Sequence, residues 1–182
     1  MKLSDGENLI ILMLADMYKA MKLTGEFDPE FISRTINGDH LWGFNWEFSI
    51  PFEKSETPPE VIETTNILEM WTILEESYAA LSPTDKAKLK TEAVPFGENV
   101  HFRGFDANNE PHYHIAGYMI DDMHRRFQTF KGRDLSSHIP SIEAYRRMYV
   151  VYEPLRGNLH NRALSVDELI AILSAAIHPS NR

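Results

Sequence analysis

Apolar residues recur every three or four positions along most of the chain, and this is the period of an α-helix. The clearest stripe follows Thr57 and consists of Thr64, Ile67, Trp71, Leu74, Tyr78 and Leu81. Because these side chains would share one face, the spacing predicts a helix of about six turns over residues 57–81. Met70 and Ile73 lie beside the stripe, which indicates that this helix buries a second surface.

Helix-start signals precede several of the stripes. In a capping box, a Ser or Thr and a Glu three positions later each bond a free backbone N–H group of the first turn. Boxes of this kind begin at Ser4, Thr57 and Ser165, and Ser82 begins a weaker version. Caps and stripes together predict long helices near residues 4–23, 57–81, 109–130, 141–155 and 165–178. The predicted fold is all-α, a single compact multi-helix domain over residues 1–182 with about seven helices.

The first predicted helix is apolar on nearly all sides between Leu9 and Leu14. A helix of this kind has to be surrounded, either by the core of its own domain or by another subunit. The helix predicted after Thr57 also has two apolar faces. We therefore expect the chain to form a homo-oligomer, and a different protein partner is the further option.

The segment from Trp42 to Phe52 fits two conformations. Its large apolar residues occupy every second position, namely Trp42, Phe44, Trp46, Phe48, Ile50 and Phe52. That alternation is typical of a strand. However, no other segment offers a partner strand, and Trp42 and Trp46 would share one face of a helix. The pattern favours a short helix followed by extended chain.

Composition narrows the classes of protein that fit. The 182 residues include no cysteine, so disulfides and thiolate metal sites are excluded. The longest apolar run is seven residues, from Leu9 to Ala15, whereas a membrane span needs about twenty. The residues before that run are acidic, unlike those of a secretory signal. We expect a cytoplasmic protein with no membrane association.

Nucleic acid is not an expected partner. The net charge is −9, and binding to a phosphate backbone requires a dense basic face. The pairs Arg125–Arg126 and Arg146–Arg147 are the candidates for a local basic patch. Pairs of this kind more often lie on the solvent side of a helix.

The stretch from His101 to Ile120 contains several possible metal ligands. Residues 106–110 match the first three ligand positions of an EF-hand loop, but Pro111 and Gly117 stand where the loop needs glycine and glutamate. An EF-hand is therefore excluded. Asn109 is a suitable helix cap, and Pro111 suits a first turn.

In the helix so predicted, His112 and His114 point about 200° apart and cannot chelate one ion together. Glu110 and His114, four positions apart, could. We nevertheless favour a capped helix whose polar stripe faces water, and we expect neither a metal nor a cofactor.

A catalytic alternative uses the same residue types. Asp106, Glu110 and His114 are candidates for acid–base chemistry. Arg133 and His138 have the R-x4-H spacing of HEPN-type ribonucleases, in which the two side chains could stabilise and protonate a phosphodiester. The alternative is a hydrolase acting on RNA or a phosphoester. It requires at least three of these five side chains to converge in one pocket with perturbed titration.

Five segments, in order, resemble the YfbU family of small uncharacterised bacterial proteins. They are Leu3–Ile10, Ile67–Trp71 continuing to Tyr78 and Leu81, Phe102–Glu110 with its Gly-Phe-Asp core, Tyr145–Met148, and Leu164–Ile170. The sequence departs from the family at Asn8, where arginine is more usual, and at Trp71, where tyrosine is. The resemblance implies an all-helical, self-associating protein. It implies no catalytic residue, ligand or activity.

The first functional hypothesis is a non-catalytic, self-associating interaction or regulatory protein. It depends on the nearly uniformly apolar first helix, the two apolar faces of the helix after Thr57 and the lack of a reactive constellation.

Overall fold

The computed structural model describes residues 2–48, 56–123, 126–159, 162–178 and 180. The helices are α1 (Asp5–Ala20), α2 (Pro29–Asn37), α3 (Trp42–Glu47), α4 (Pro59–Ala80), α5 (Pro83–Glu92), α6 (His112–Asp121), α7 (Ile142–Arg156) and α8 (Val166–Ala175). A short 3-10 helix, Gln128–Phe130, precedes α7. No strand occurs in the described ranges, where Phe105 and Ser136 form an isolated parallel bridge. The all-α prediction is confirmed, and eight helices are close to the predicted number.

The long helix α4 lies at the centre of a single compact domain. It packs against α6 and α7, and α8 packs against both α5 and α7. Buried α4 side chains include Leu68, Met70 and Trp71, which do not share one face. The prediction of a second buried surface on this helix is therefore confirmed, because α4 is covered by neighbours on more than one side.

Three of the four predicted capping-box positions do cap a helix. Ser4 and Ser165 both form complete capping boxes, and the Ser82 hydroxyl accepts from the Asp85 N–H. The cap predicted at Thr57 is wrong, because the cap residue is Pro58 and no side chain bonds the first turn. Pro59 follows at the first helical position and has no N–H, so one donor that a cap would satisfy is absent.

The helix predicted over residues 109–130 is shorter at both ends. It begins at His112 after Pro111, so the cap predicted at Asn109 is also wrong. It ends at Asp121, and Phe127 then has a left-handed backbone with φ of 52°. Met123 and Phe130 nevertheless remain buried. The apolar period continues past the helix because Met123 fills the core from the bend after α6 and Phe130 fills it from the 3-10 helix.

The Trp42–Phe52 segment begins as predicted. α3 covers Trp42–Glu47, and Phe48 is extended with ψ of 136°. The Trp42 and Trp46 rings meet edge to face with centroids 5.2 Å apart, as expected for neighbours one helical turn apart. Residues 49–52 of the segment lie outside the described residues.

The first helix is covered on one side only. α1 packs on α2, and Ala15 is the one buried residue of α1. The core of the domain therefore does not surround this helix, which leaves its remaining apolar surface open. No helix in the described ranges combines the length and the apolar character that crossing a bilayer would require.

Candidate functional site

Glu110, one of the predicted acid–base residues, lies at the N-terminus of α7. Its Oε1 accepts the backbone N–H groups of Ser141 at 2.7 Å and Ile142 at 2.8 Å. Its Oε2 accepts from the Asp106 N–H at 2.8 Å and from the Ser141 hydroxyl at 2.9 Å. The residue is 6% exposed. Glu110 thus caps α7 from a segment 31 residues away, at the end of the helix where a negative charge is favourable.

Asp106 is buried next to Glu110 and organises its own loop. Its carboxylate accepts from the side-chain amide of Asn109 at 2.6 Å and from the Asn108 N–H at 3.0 Å. The side chain of Asn109 is thus part of this loop, and α6 begins three residues later, at His112. The structure therefore brings Asp106 and Glu110 together, as the hydrolase hypothesis requires, but each carboxylate already accepts several hydrogen bonds.

Both carboxylates are held in the ionised form. The Asn109 amide and then the Asn108 N–H hold the pKa of Asp106 below its usual value. Burial alone would raise the pKa of Glu110, but the bonds donated by Ile142, Asp106 and Ser141 outweigh burial and lower it. A lowered pKa suits a structural anion, whereas a general acid at neutral pH needs a raised one.

The two histidines of α6 face opposite environments, as the helical period predicts. His112 is buried, and its Nε2 lies 2.8 Å from Oε2 of Glu63 on α4. Arg146 of α7 binds the same carboxylate at 2.7 Å and 2.9 Å, and this pairing is the main reason why the pKa of Glu63 is lowered. His114 is exposed. Glu110 is turned towards α7, where its carboxylate accepts from the helix N-terminus.

Arg133 and His138 occupy different surroundings. Arg133 forms a bidentate ion pair with Glu75, with N–O distances of 2.8 Å and 2.9 Å. Glu75 also accepts a hydrogen bond from the Phe102 N–H. His138 lies on the surface with a left-handed backbone, and its Nδ1 is 3.3 Å from the Ser136 hydroxyl. A polar recess beside Arg133 is lined by Arg103 and Ser136 but not by His138. The R-x4-H pair is therefore not gathered in that recess.

The arginines considered for nucleic-acid binding are engaged elsewhere. Arg126 lies over the Trp46 ring at 4.8 Å, and Arg147 donates to the carbonyl oxygens of Ala175 and Ala176 at the end of α8. Arg146 pairs with Glu63, as described above, and Arg125 lies outside the described residues. The three described arginines contact three different parts of the fold.

The most unusual surface feature is the outward side of α1. Six large apolar residues there are each 55–62% exposed, and together we call them the α1 outer face: Leu9, Ile10, Met13, Leu14, Met17 and Met21. A contiguous apolar surface of this size on one copy typically marks an interface. The nearly continuous apolar run of this helix had already predicted that its surface needs a cover.

The residues that hold the ionisable candidates in place carry no local sequence signal. Glu63 and Glu75 are half-buried residues of α4, and nothing in the local pattern links them to arginines 83 and 58 positions away. In the described part of the chain, no group of three or more His, Asp or Glu residues could hold a metal ion. The ionisable side chains near α6 and α7 thus act as links between helices.

Comparison with known proteins gives a family. Searches of curated proteins and of solved structures found no match to this chain. The family model described as the YfbU domain matches residues 42–175, from the start of α3 to the end of α8. Since the match covers well over half of the sequence, the chain belongs to the YfbU family.

Proposed function

We propose that the protein is a non-catalytic interaction protein that self-associates through the α1 outer face. The observation that carries this proposal is the exposure of six large apolar side chains on a helix with a single buried residue. Exposed apolar surface of this extent costs free energy in water, and a matching surface removes that cost.

A second copy is the partner that this face fits best. The first turn of α1 carries Asp5 and Glu7, and Lys22 follows its end, whereas Lys19 is already paired with Glu30 of α2 at 2.9 Å. In an antiparallel pair related by a two-fold axis, the acidic end of each helix meets the basic end of the other. The same apolar residues face each other across the axis. The charge pattern therefore complements itself.

The size of the face is sufficient for a specific dimer. Six side chains with more than half their surface exposed present roughly 500 Å² of apolar area. A symmetric pair would bury about twice that area, which reaches the lower limit of about 1,000 Å² for specific interfaces. The spacing of Ile10, Met13 and Met17, three and then four residues apart, is that of two packed helices.

We also propose that residues 1–182 form one domain, although the family match begins at residue 42. α2 connects the N-terminal part to the matched region. The Thr35 hydroxyl is 2.6 Å from the Tyr118 hydroxyl of α6, and the Phe31 ring packs against Phe44 and Tyr118. These contacts support a fixed position for α1 on the domain surface.

The hydrolase alternative has less support, because its five candidate residues make separate contacts and do not form one site. Asp106 and Glu110 are adjacent, but both accept backbone N–H groups, and Arg133 is paired with Glu75. His114 and His138 are exposed.

A cytoplasmic location remains a prediction from the sequence.

The experiment is sedimentation velocity on the wild type, Leu14→Glu and Val150→Glu at about 50 µM. Val150 is the matched control, since it is also an exposed aliphatic residue on a helix, but on α7. We expect a dimeric wild type, a monomeric Leu14→Glu protein and a dimeric Val150→Glu protein. Leu14→Glu places two charges in an apolar interface, so affinity falls at least about a hundredfold.

Circular dichroism verifies that both variants remain folded. A wild type that is monomeric at this concentration would refute the proposal. A dimer that survives Leu14→Glu but dissociates with Val150→Glu would also refute it, because the interface would then lie on α7.

A further inference from the structure

The methionines of this chain fall into two groups that differ in exposure. The sequence has eight methionines, and all except Met1 lie within the described residues. Four belong to the core and are at most 1% exposed, namely Met70, Met119, Met123 and Met148. Three belong to the α1 outer face and are 55–62% exposed, namely Met13, Met17 and Met21. Among the described methionines, dissolved molecules can therefore reach only those of the α1 outer face.

The three exposed methionines form one row along the helix. They are four residues apart, so each lies one turn beyond the last on the same side of α1. Leu9 extends the row by one turn towards the N-terminus and is 60% exposed. The row runs along the surface that we propose to pair with a second copy. A chemical change at the sulfur atoms would therefore alter that surface directly.

Methionine sulfur is the group on this face that a mild oxidant can modify. Peroxides convert the thioether into a sulfoxide, which a reductase can convert back. With hydrogen peroxide, a sulfur lone pair attacks one peroxide oxygen, the O–O bond breaks and an S–O bond forms. The second oxygen leaves as water, so the sulfur is oxidised and the peroxide is reduced. The chain has no cysteine, whose thiolate would otherwise compete for the oxidant.

We propose that Met13, Met17 and Met21 are sites of reversible oxidation, and that their sulfoxides prevent self-association. The second half of this inference rests on the dimer proposed above. A sulfoxide oxygen is a polar acceptor, whereas the leucine, isoleucine and methionine side chains of the α1 outer face carry no N–H or O–H donor. An acceptor buried without a donor weakens binding about tenfold. Each oxidised copy would bring three such groups, so association should weaken at least about a hundredfold.

The free copy is the form that reacts. In the dimer each row would be covered by the partner, so peroxide reaches the sulfur atoms of copies that have dissociated. Because oxidised copies no longer pair, they leave the equilibrium, and the dimer is depleted by mass action. The rate of oxidation should therefore fall as the protein concentration is raised above the dissociation constant.

The first measurement maps the oxidised positions by mass spectrometry of peptides. Dilute protein is treated with hydrogen peroxide under conditions that leave its circular dichroism spectrum unchanged. We expect sulfoxide to form at the three α1 methionines at least about ten times faster than at the four core methionines, because burial excludes the oxidant from the core. Equal rates in both groups, or unmodified α1 methionines, would overturn the assignment of the sites. This measurement does not depend on whether the protein forms a dimer.

Sedimentation velocity at about 50 µM then tests the effect on association. We expect a dimer before oxidation, a monomer after it, and a dimer again after treatment with methionine sulfoxide reductases for both sulfoxide epimers. The matched control is the triple variant Met13→Leu, Met17→Leu and Met21→Leu. Leucine preserves the volume and the apolar character of each site but has no sulfur, so this variant should stay dimeric after the same treatment.

The outcomes separate this inference from the proposed dimer. A wild type that stays dimeric with all three α1 methionines oxidised would overturn the inference and leave the dimer in place. A triple variant that also dissociates in peroxide would overturn the inference too, because modification elsewhere in the chain would then be the cause. A wild type that is monomeric before any oxidation would overturn both proposals.

Discussion

Glu110→Gln separates a structural carboxylate from a reactive one. The substitution keeps the shape of the side chain but replaces one acceptor oxygen with an NH₂ group. That group would face the Asp106 N–H, which Oε2 of Glu110 accepts at 2.8 Å in the wild type. Oε1 would still accept from Ser141 and Ile142, but without the negative charge that strengthens these bonds at the start of α7.

The expected loss of stability is about 3 kcal/mol. Leaving the buried Asp106 N–H without an acceptor costs about 1–3 kcal/mol. Removing the charge at the helix N-terminus costs about another 1 kcal/mol, because the residue is almost fully buried and little screened. The measurement is the free energy of unfolding in urea, followed by circular dichroism at neutral pH.

Glu143→Gln is the matched control. Glu143 also lies in the first turn of α7, but its side chain is 70% exposed and pairs with Arg146 at the surface. An exposed pair of this kind contributes about 0.5 kcal/mol. A loss below about 0.5 kcal/mol for Glu110→Gln, equal to that of the control, would refute the structural role. Glu110 would then return to the set of candidate reactive groups.

The pH dependence of the stabilisation by Glu110 follows from the direction in which its pKa is shifted. Because hydrogen bonds lower the pKa of Glu110 in the folded state, its stabilising effect is complete above the unfolded value of about 4.5. The effect is lost as the pH falls through the lower, folded pKa. The difference in unfolding free energy between wild type and Glu110→Gln should therefore be constant from neutral pH to about pH 5 and shrink below that.

Two further substitutions test the loop and the last helix. Gly104→Ala should lower the free energy of unfolding, measured by thermal denaturation, by at least about 3 kcal/mol. Gly104 has φ of 84°, and a Cβ there would lie 1.9 Å from the Leu135 carbonyl oxygen. The control is Gly117→Ala on α6, where a Cβ meets open space, and it should be neutral or stabilising. Glu168→Gln should cost about 1 kcal/mol at neutral pH, because glutamine can still close the α8 capping box but lacks the charge that pairs with Arg162 at the helix N-terminus. Arg162 lowers the pKa of Glu168 to about 2, so that cost should persist above pH 4.5 and vanish as the pH falls towards 2.

Features that depend on neighbours in the chain were predictable. The capping boxes at Ser4 and Ser165 involve residues three positions apart, so the amino-acid pattern indicates them, although the same pattern at Thr57 forms no box. The helical conformation of α4 and α1 was predictable in the same way, from the apolar stripe of one and the nearly continuous apolar run of the other. The opposite surroundings of His112 and His114 also follow from the period.

Features that depend on distant residues were not predictable. Asn109 looks like a helix cap, but its side-chain amide donates to Asp106 within the preceding loop, and α6 starts three residues later. Glu110 looks like a candidate base, but its position under the first turn of α7 makes it a cap for a helix that begins 32 residues further on. Local pattern indicates which groups a residue can bind, and packing of distant segments determines which of those groups is close enough.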